Sequence, residues 1–186
     1  MSTNVLKFLL LLSTATATAW ADSADLSVDQ THSTINVAVK ATSGSFTGHL
    51  ANYAIESRID TALSTVSTLV MHFRFSDIRT GEDSRDKKMN SWQQSEKFPE
   101  ASFTLSKVIA GSNGQSTAIG QLVLHGVTRD ITFPLTIKAD HGHYAFDGEA
   151  VVDTSAYGLP IIKMMGFLKV DPLVHIQFHL VGETKA

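Results

Sequence analysis

Histidines and carboxylates carry the most reactive chemistry in this chain, and their spacing argues against catalysis. There are eight His, 18 Asp plus Glu, 15 Lys plus Arg and no Cys among 186 residues. Without Cys, thiolate nucleophiles, Cys-ligated zinc and disulfides are excluded. His141 and His143 are two apart, so on one strand they share a face about 6.6 Å apart, half of a metal site. Gly142 between them predicts an exposed turn instead. His175 and His179 share a strand face about 13 Å apart, too far to hold one ion. No His-Glu-x-x-His helix and no Gly-x-Ser-x-Gly elbow occurs. His32 lies beside Ser33 and near Asp29, but sequence neighbours on a strand point to opposite faces. Asp29 and His32 therefore read as a turn and barrel-rim network. Arg85 and Asp86 adjoin and suit an ion pair or a helix cap. No catalytic residue, no metal and no required cofactor is expected.

The elements that carry these residues are strands. Apolar side chains make up 43% of the chain and charged ones 18%, a balance that folds. Ile35, Val37 and Val39 alternate with Asn36 and Lys40; Tyr53, Ile55 and Ile59 alternate with Glu56, Arg58 and Asp60. Leu69, Met71, Phe73 and Phe75 continue the pattern, followed by Phe103 and Leu105, Leu122 and Leu124, then Ile131 through Ile137. Tyr144, Phe146, Ala150 and Val152 precede the last run, Val174, Ile176, Phe178 and Leu180. Turn signals at Gly111–Gly114, His125-Gly126 and Asp140–Gly142 separate the runs. About eight such strands predict an all-β, antiparallel barrel or sandwich.

Two stretches break the alternation. Residues 81–98 predict a short helical insertion in which Met89 and Trp92, three apart, share a face. Tyr157 to Lys169 is a dense apolar connection, Leu159-Pro160-Ile161-Ile162 then Met164-Met165-Gly166-Phe167-Leu168, where polar residues are the norm. It reads as a plug over one barrel end and also as a Met-rich, adaptable lip.

The N-terminus places the chain in the cell. Lys7 precedes Phe8 to Leu12, small residues follow, and Ala19-Trp20-Ala21 fits a small-x-small cleavage site. Residues 1–21 read as a signal peptide cleaved after Ala21 and residues 22–186 as one domain, periplasmic or secreted. The apolar stretch is too short to cross a bilayer core of about 30 Å. Net charge is −3, which offers no basic field for nucleic acid. Charges such as Lys40, Glu56, Arg74 and Lys138 on the polar faces favour a barrel with water outside over one embedded in lipid.

The motifs resemble a family. Asp29-Gln30-Thr31-His32-Ser33-Thr34-Ile35, Gly44-Ser45-Phe46-Thr47-Gly48, Ile78-Arg79-Thr80-Gly81 and Arg85-Asp86-Lys87-Lys88-Met89 are similar to segments of the bacterial YceI-like, polyisoprenoid-binding family. So are Phe98-Pro99-Glu100-Ala101-Ser102-Phe103, the hairpin from Gly120 to Arg129, Asp153 to Leu159 and Val174 to Phe178. Asn90 to Ser95 departs from the aromatic Asp-Phe-Phe-Asp stretch that the family often has there.

The resemblance implies a lipocalin-like barrel whose lumen holds an isoprenoid quinone, polyprenyl compound or other long amphiphilic lipid, in a periplasmic carrier. Candidate wall residues are Phe103, Leu105, Leu122, Leu124, Phe133, Phe146, Ile176 and Phe178, each of which also suits plain core packing. Met89, Trp92, Met164, Met165 and Phe167 are candidates at the mouth. His32, Arg85 and Asp86 are polar rim candidates for a lipid head group. The alternative is an enzyme acting on such a lipid through His32, His125 or Arg85. Monomer and homodimer both stay open.

Overall fold

A strand with alternating polarity buries one face only, so eight such strands are stable once they close around a shared interior. The computed structural model describes residues 23–164 and 168–185 and shows that closure. In chain order the strands are β1 (Ser23–Val28), β2 (Thr34–Ala41), β3 (Gly44–Leu50), β4 (Tyr53–Asp60), β5 (Thr65–Arg74), β6 (Ile78–Arg79), β7 (Glu100–Ala110), β8 (Gln115–Leu124), β9 (Val127–Asp140), β10 (His143–Asp153), β11 (Lys163–Met164), β12 (Leu168–Lys169) and β13 (Leu173–Thr184). One helix, α1 (Asp83–Gln93), lies between β6 and β7. The expected signal peptide and its cleavage after Ala21 lie outside the described residues.

The ring runs β1-β4-β5-β7-β8-β9-β10-β13 and returns to β1, eight strands with antiparallel neighbours throughout. This set differs from the expected one by a single strand. β1 is the eighth stave, and β2 lies end to end with it on the same edge of β13. Leu173–Thr184 is long enough to pair Ile35 with Phe178 in β2 and Leu26 with Thr184 in β1. Between them the chain kinks at Asp29, whose Oδ1 accepts from the backbone N–H groups of Thr31 and His32. β2 continues into β3 and β6, which extend the wall at one end only.

Apolar faces turn inward. Ile35, Ile59, Leu122, Phe133, Leu135, Phe146 and Leu180 are buried, whereas Lys40, Glu56, Arg58, Arg74 and Lys138 are exposed. That polarity is the reverse of a lipid-embedded barrel. Tight turns at 61–64, 111–114 and 141–142 finish one end of the cylinder. The other end carries α1, the β2–β3 and β8–β9 turns, and the long connection 158–172 with its small β11–β12 ribbon.

Candidate functional site

The two ends differ in what they enclose. Under α1 a cavity of about 710 Å³ opens between β2, β3, the top of β5 and the 159–172 segment. Deeper in the barrel a second space of about 110 Å³ is lined entirely by apolar side chains, including Ile55, Met71, Leu105, Phe133 and Phe146. Leu122 and Ile176 belong to both walls, so the two spaces adjoin along one apolar route.

Helix α1 presents one stripe to the mouth. Arg85, Lys88, Met89 and Trp92 recur at helical spacing, and all four line the cavity. The stripe is held in place from both sides. Trp92 Nε1 donates to the Pro160 carbonyl at 2.8 Å, tying the helix to the opposite lip, and its ring packs 6.5 Å from Phe75. On the other face the buried Asp86 accepts from the Thr80 backbone N–H at 3.0 Å and from Thr80 Oγ1 at 2.6 Å. The helix ends where Gln94 takes a left-handed φ of 55° and its N–H returns to Asn90 and Ser91.

Deep in the barrel, room for the rings comes from missing side chains. A Cβ on Gly148 would lie 2.4 Å from Phe178 Cζ, and one on Gly120 would lie 2.5 Å from Phe103 Cε2. Each ring therefore occupies the space that a side chain would take at a glycine of a neighbouring strand. Phe133 sits between them, its centroid 5.7 Å from both. All three rings line the small inner space.

The polar groups are divided. Arg85 pairs with Glu82 and its guanidinium sits 4.7 Å from the Phe46 ring centroid, so a cation lies at the rim against an apolar wall. The Ser84 hydroxyl and then Arg85 hold the Glu82 carboxyl below its ordinary range. Asp86 does not pair with Arg85; it is the cap-like acceptor of the β6–α1 link. His32 is exposed in the β1–β2 kink, where its Nδ1 lies 2.7 Å from Asp29 Oδ2, and it does not line the mouth. That hydrogen bond is the main cause of a lowered Asp29 carboxyl. His125 sits in the β8–β9 turn with Nδ1 3.0 Å from the Tyr157 carbonyl and its ring 4.3 Å from Phe98. Burial raises the nearby Tyr157 hydroxyl. His32, His125 and Arg85 thus stand on three separate elements, and only Arg85 reaches the cavity.

The remaining histidines face outward. His175 meets Glu149 and His179 meets Asp147, each at 2.6 Å, on the outer surface of β10 and β13. His141 pairs with Asp140 at 2.5 Å in an exposed turn, as its spacing predicts. Among the described residues no three His, Asp or Glu side chains are grouped to hold a metal.

Of the expected wall residues, Phe103, Leu105, Leu122, Phe133, Phe146, Ile176 and Phe178 line the inner space, and Leu124 lines the mouth. Met89 and Trp92 are brought to the mouth as their shared helical face predicts. Met165 and Phe167 lie outside the described residues, and of Met164 only the backbone, in β11, is described. Residues not singled out from sequence form much of the mouth: Val37, Val39, Phe46, Phe73 and Val174 among them. Val37, Val39, Phe73 and Val174 were legible as strand faces, but which end of the barrel opens depends on where α1 docks. The 159–162 segment is both plug and lip. Leu159 is buried at 3% exposure, while Ile161, at 40%, borders the opening.

A closed eight-stranded antiparallel barrel with an apolar interior, open at one end beneath a short helix, defines a lipocalin-like pocket protein. The YceI-like domain model matches residues 26–182, and the chain belongs to that family. Its fold is similar to the crystal structure of BcnA from Burkholderia cenocepacia, at 21% identity and a TM-score of 0.74, covering 83% of this chain and 99% of that one. It is similar to the YceI protein of Campylobacter jejuni at 16% identity and a TM-score of 0.65, covering 75% and 85% of the two chains. A polyisoprenoid-binding domain from Saccharophagus degradans matches at 16% identity and a TM-score of 0.62, covering 86% and 98%. No curated protein matches the sequence.

Proposed function

We propose that the chain is an exported binding protein that takes the tail of one amphiphilic lipid of isoprenoid type into its barrel and carries or sequesters it in the periplasm. The observation that carries this reading is the adjoining pair of apolar spaces that share Leu122 and Ile176. A mouth of about 710 Å³ falls in the usual range for ligand pockets. The polyisoprenoid-binding domain among the structural neighbours favours a branched isoprenoid tail.

Burial of apolar chain suffices for affinity. At about 0.8 kcal/mol per methylene, a five-carbon isoprene unit contributes about 4 kcal/mol gross, and three or four units about 12–16 kcal/mol. Micromolar binding needs about 8 kcal/mol, which leaves several for lost freedom of the ligand. The first units occupy the mouth and the distal ones the inner space; longer tails require Phe103, Phe133 and Phe178 to turn. Arg85 and Lys88 at the rim face the head group and favour an oxygen-rich one. Catalysis is the weaker alternative, since its three candidate residues do not converge.

Trp92 lines the mouth and is the one tryptophan beyond Trp20. Titrating delipidated protein that starts at Asp22 with a long polyprenol should give a saturable change in Trp92 emission at one lipid per chain. No saturable change, together with no lipid extracted from gently purified protein, would end this reading. N-terminal sequencing of exported protein should begin at Asp22.

A further inference from the structure

We propose that the open end of the barrel docks on an anionic membrane surface, through Lys163 and Lys169 with Lys88 and the exposed Ile161 beside them. The β11–β12 ribbon has only two residue pairs, and one of them sets Lys163 directly opposite Lys169. Like charges opposed across a strand pair are destabilising, and a short two-stranded ribbon is marginal by itself. Among the described residues no lysine takes part in an ion pair, so nothing within the barrel neutralises these two. An external anionic layer would.

The position of the pair identifies that layer. Ile162 and Val170 line the mouth and are joined by a 3.0 Å hydrogen bond from the Val170 N–H to the Ile162 carbonyl. The lysines are the next residues outward on each strand. Lys88 lines the same mouth from α1, which Trp92 fastens to Pro160. The carboxylates on this wall leave Lys163 and Lys169 uncompensated: Glu82 bonds Arg85 and Ser84 and attracts Lys88, and Asp171 accepts from the Leu173 N–H. Ile161 and Leu173, 40% and 43% exposed, add apolar surface at the same end. Lysines around an apolar opening match a bilayer, which offers phosphate above and hydrocarbon below. An acidic protein would satisfy the charges but leave the apolar rim without a partner.

The test is co-sedimentation of the full mature chain with vesicles of phosphatidylglycerol and phosphatidylethanolamine, against phosphatidylcholine vesicles. Binding should appear on the anionic vesicles only and fall as salt rises. Lys163→Glu should weaken it at least fivefold. The same substitution places an acid opposite Lys169, so the thermal midpoint should hold or rise, which separates lost docking from lost folding. Lys107→Ser with Lys138→Ser, towards the other end and near the exposed Ile109, should leave vesicle binding intact. Polyprenol uptake without vesicles, read from Trp92, should be unchanged in K163E; uptake failing in the parent chain would instead count against the binding function. Equal binding to neutral vesicles, indifference to K163E, or an equal loss in the Lys107 and Lys138 variant overturns the proposal.

Discussion

Gly148→Ala is the sharpest test of how the barrel keeps its interior open. Gly148 pairs directly with Phe178 across β10 and β13. An added Cβ would lie 2.4 Å from Phe178 Cζ, 2.9 Å from its Cε1 and 2.9 Å from the Pro134 carbonyl. The carbonyl belongs to the β9 ladder and cannot retreat cheaply. The ring cannot slide sideways either, because Phe133 stands edge-on against it at 5.7 Å. Phe178 must therefore swing towards the lumen. Forcing a methyl into such a site costs about 1–3 kcal/mol. Alanine recovers about 0.5–1 kcal/mol over glycine in a strand, leaving a net loss of about 0.5–2 kcal/mol. For a domain of this size each kcal/mol lowers Tm by about 2–4 °C. Thermal and urea unfolding give the loss, and a polyprenol titration through Trp92 should show weaker uptake as the ring intrudes. Phe178→Leu makes room for the methyl, so G148A should cost at least about 1 kcal/mol less in that background. A neutral G148A, or an equal cost in both backgrounds, refutes the picture of a ring lying on a glycine floor.

Other substitutions report on the parts around that interior. Asp86→Ala should destabilise by about 1–3 kcal/mol in urea, because it removes the acceptor of two Thr80 hydrogen bonds that anchor α1. Trp92→Phe should cost about 0.5–1.5 kcal/mol through the lost bond to Pro160, measured by the same titration. The Glu149 carboxyl is lowered chiefly by its hydrogen bond to His175 and next by Gln177. Its stabilisation is therefore present above the ordinary carboxylate value of 4.5 and lost as pH falls below it. Glu149→Gln should be less stable than the parent at pH 7, with the gap closing on acidification; a gap that persists at pH 3 contradicts this. Treatment with a chelator should leave both the unfolding midpoint and polyprenol uptake unchanged, and loss of either would show that a divalent ion is needed.

Period-two alternation made most of the barrel wall readable, because it marks which side chains share a face without requiring knowledge of their partners. Phe103, Phe133 and Phe178 were named on that basis, and the structure gathers them into one cluster. The helical insertion was readable for a similar reason: Met89 and Trp92 are spaced to share a side. What periodicity does not carry is which end is open. Nothing in Val37 or Phe73 distinguishes a mouth residue from a core residue until α1 and the 159–162 segment are docked above them. The β1 stave was also missed, since Ala24, Leu26 and Val28 form a short run beside the expected leader. Arg85 and Asp86 show the same limit at smaller scale. They are neighbours in sequence, but their separation around the helix sends one to the rim and the other beneath Thr80.

β13 is held along one side by β10 and along the other by β2 and β1 together. Of the described strands, the stave that closes the cylinder is therefore the last to be synthesised and its partner β1 the first. A nascent chain that has reached only Asp153 carries two unpaired edges and has no inside to hide its apolar faces. Joining chain ends is a contact of long sequence separation, which forms slowly and leaves those edges open to wrong partners meanwhile. Such an order of assembly suits delivery of the polypeptide as an open thread. The β1–β13 seam is complete only when Thr184 has arrived, on whichever side of a membrane that happens.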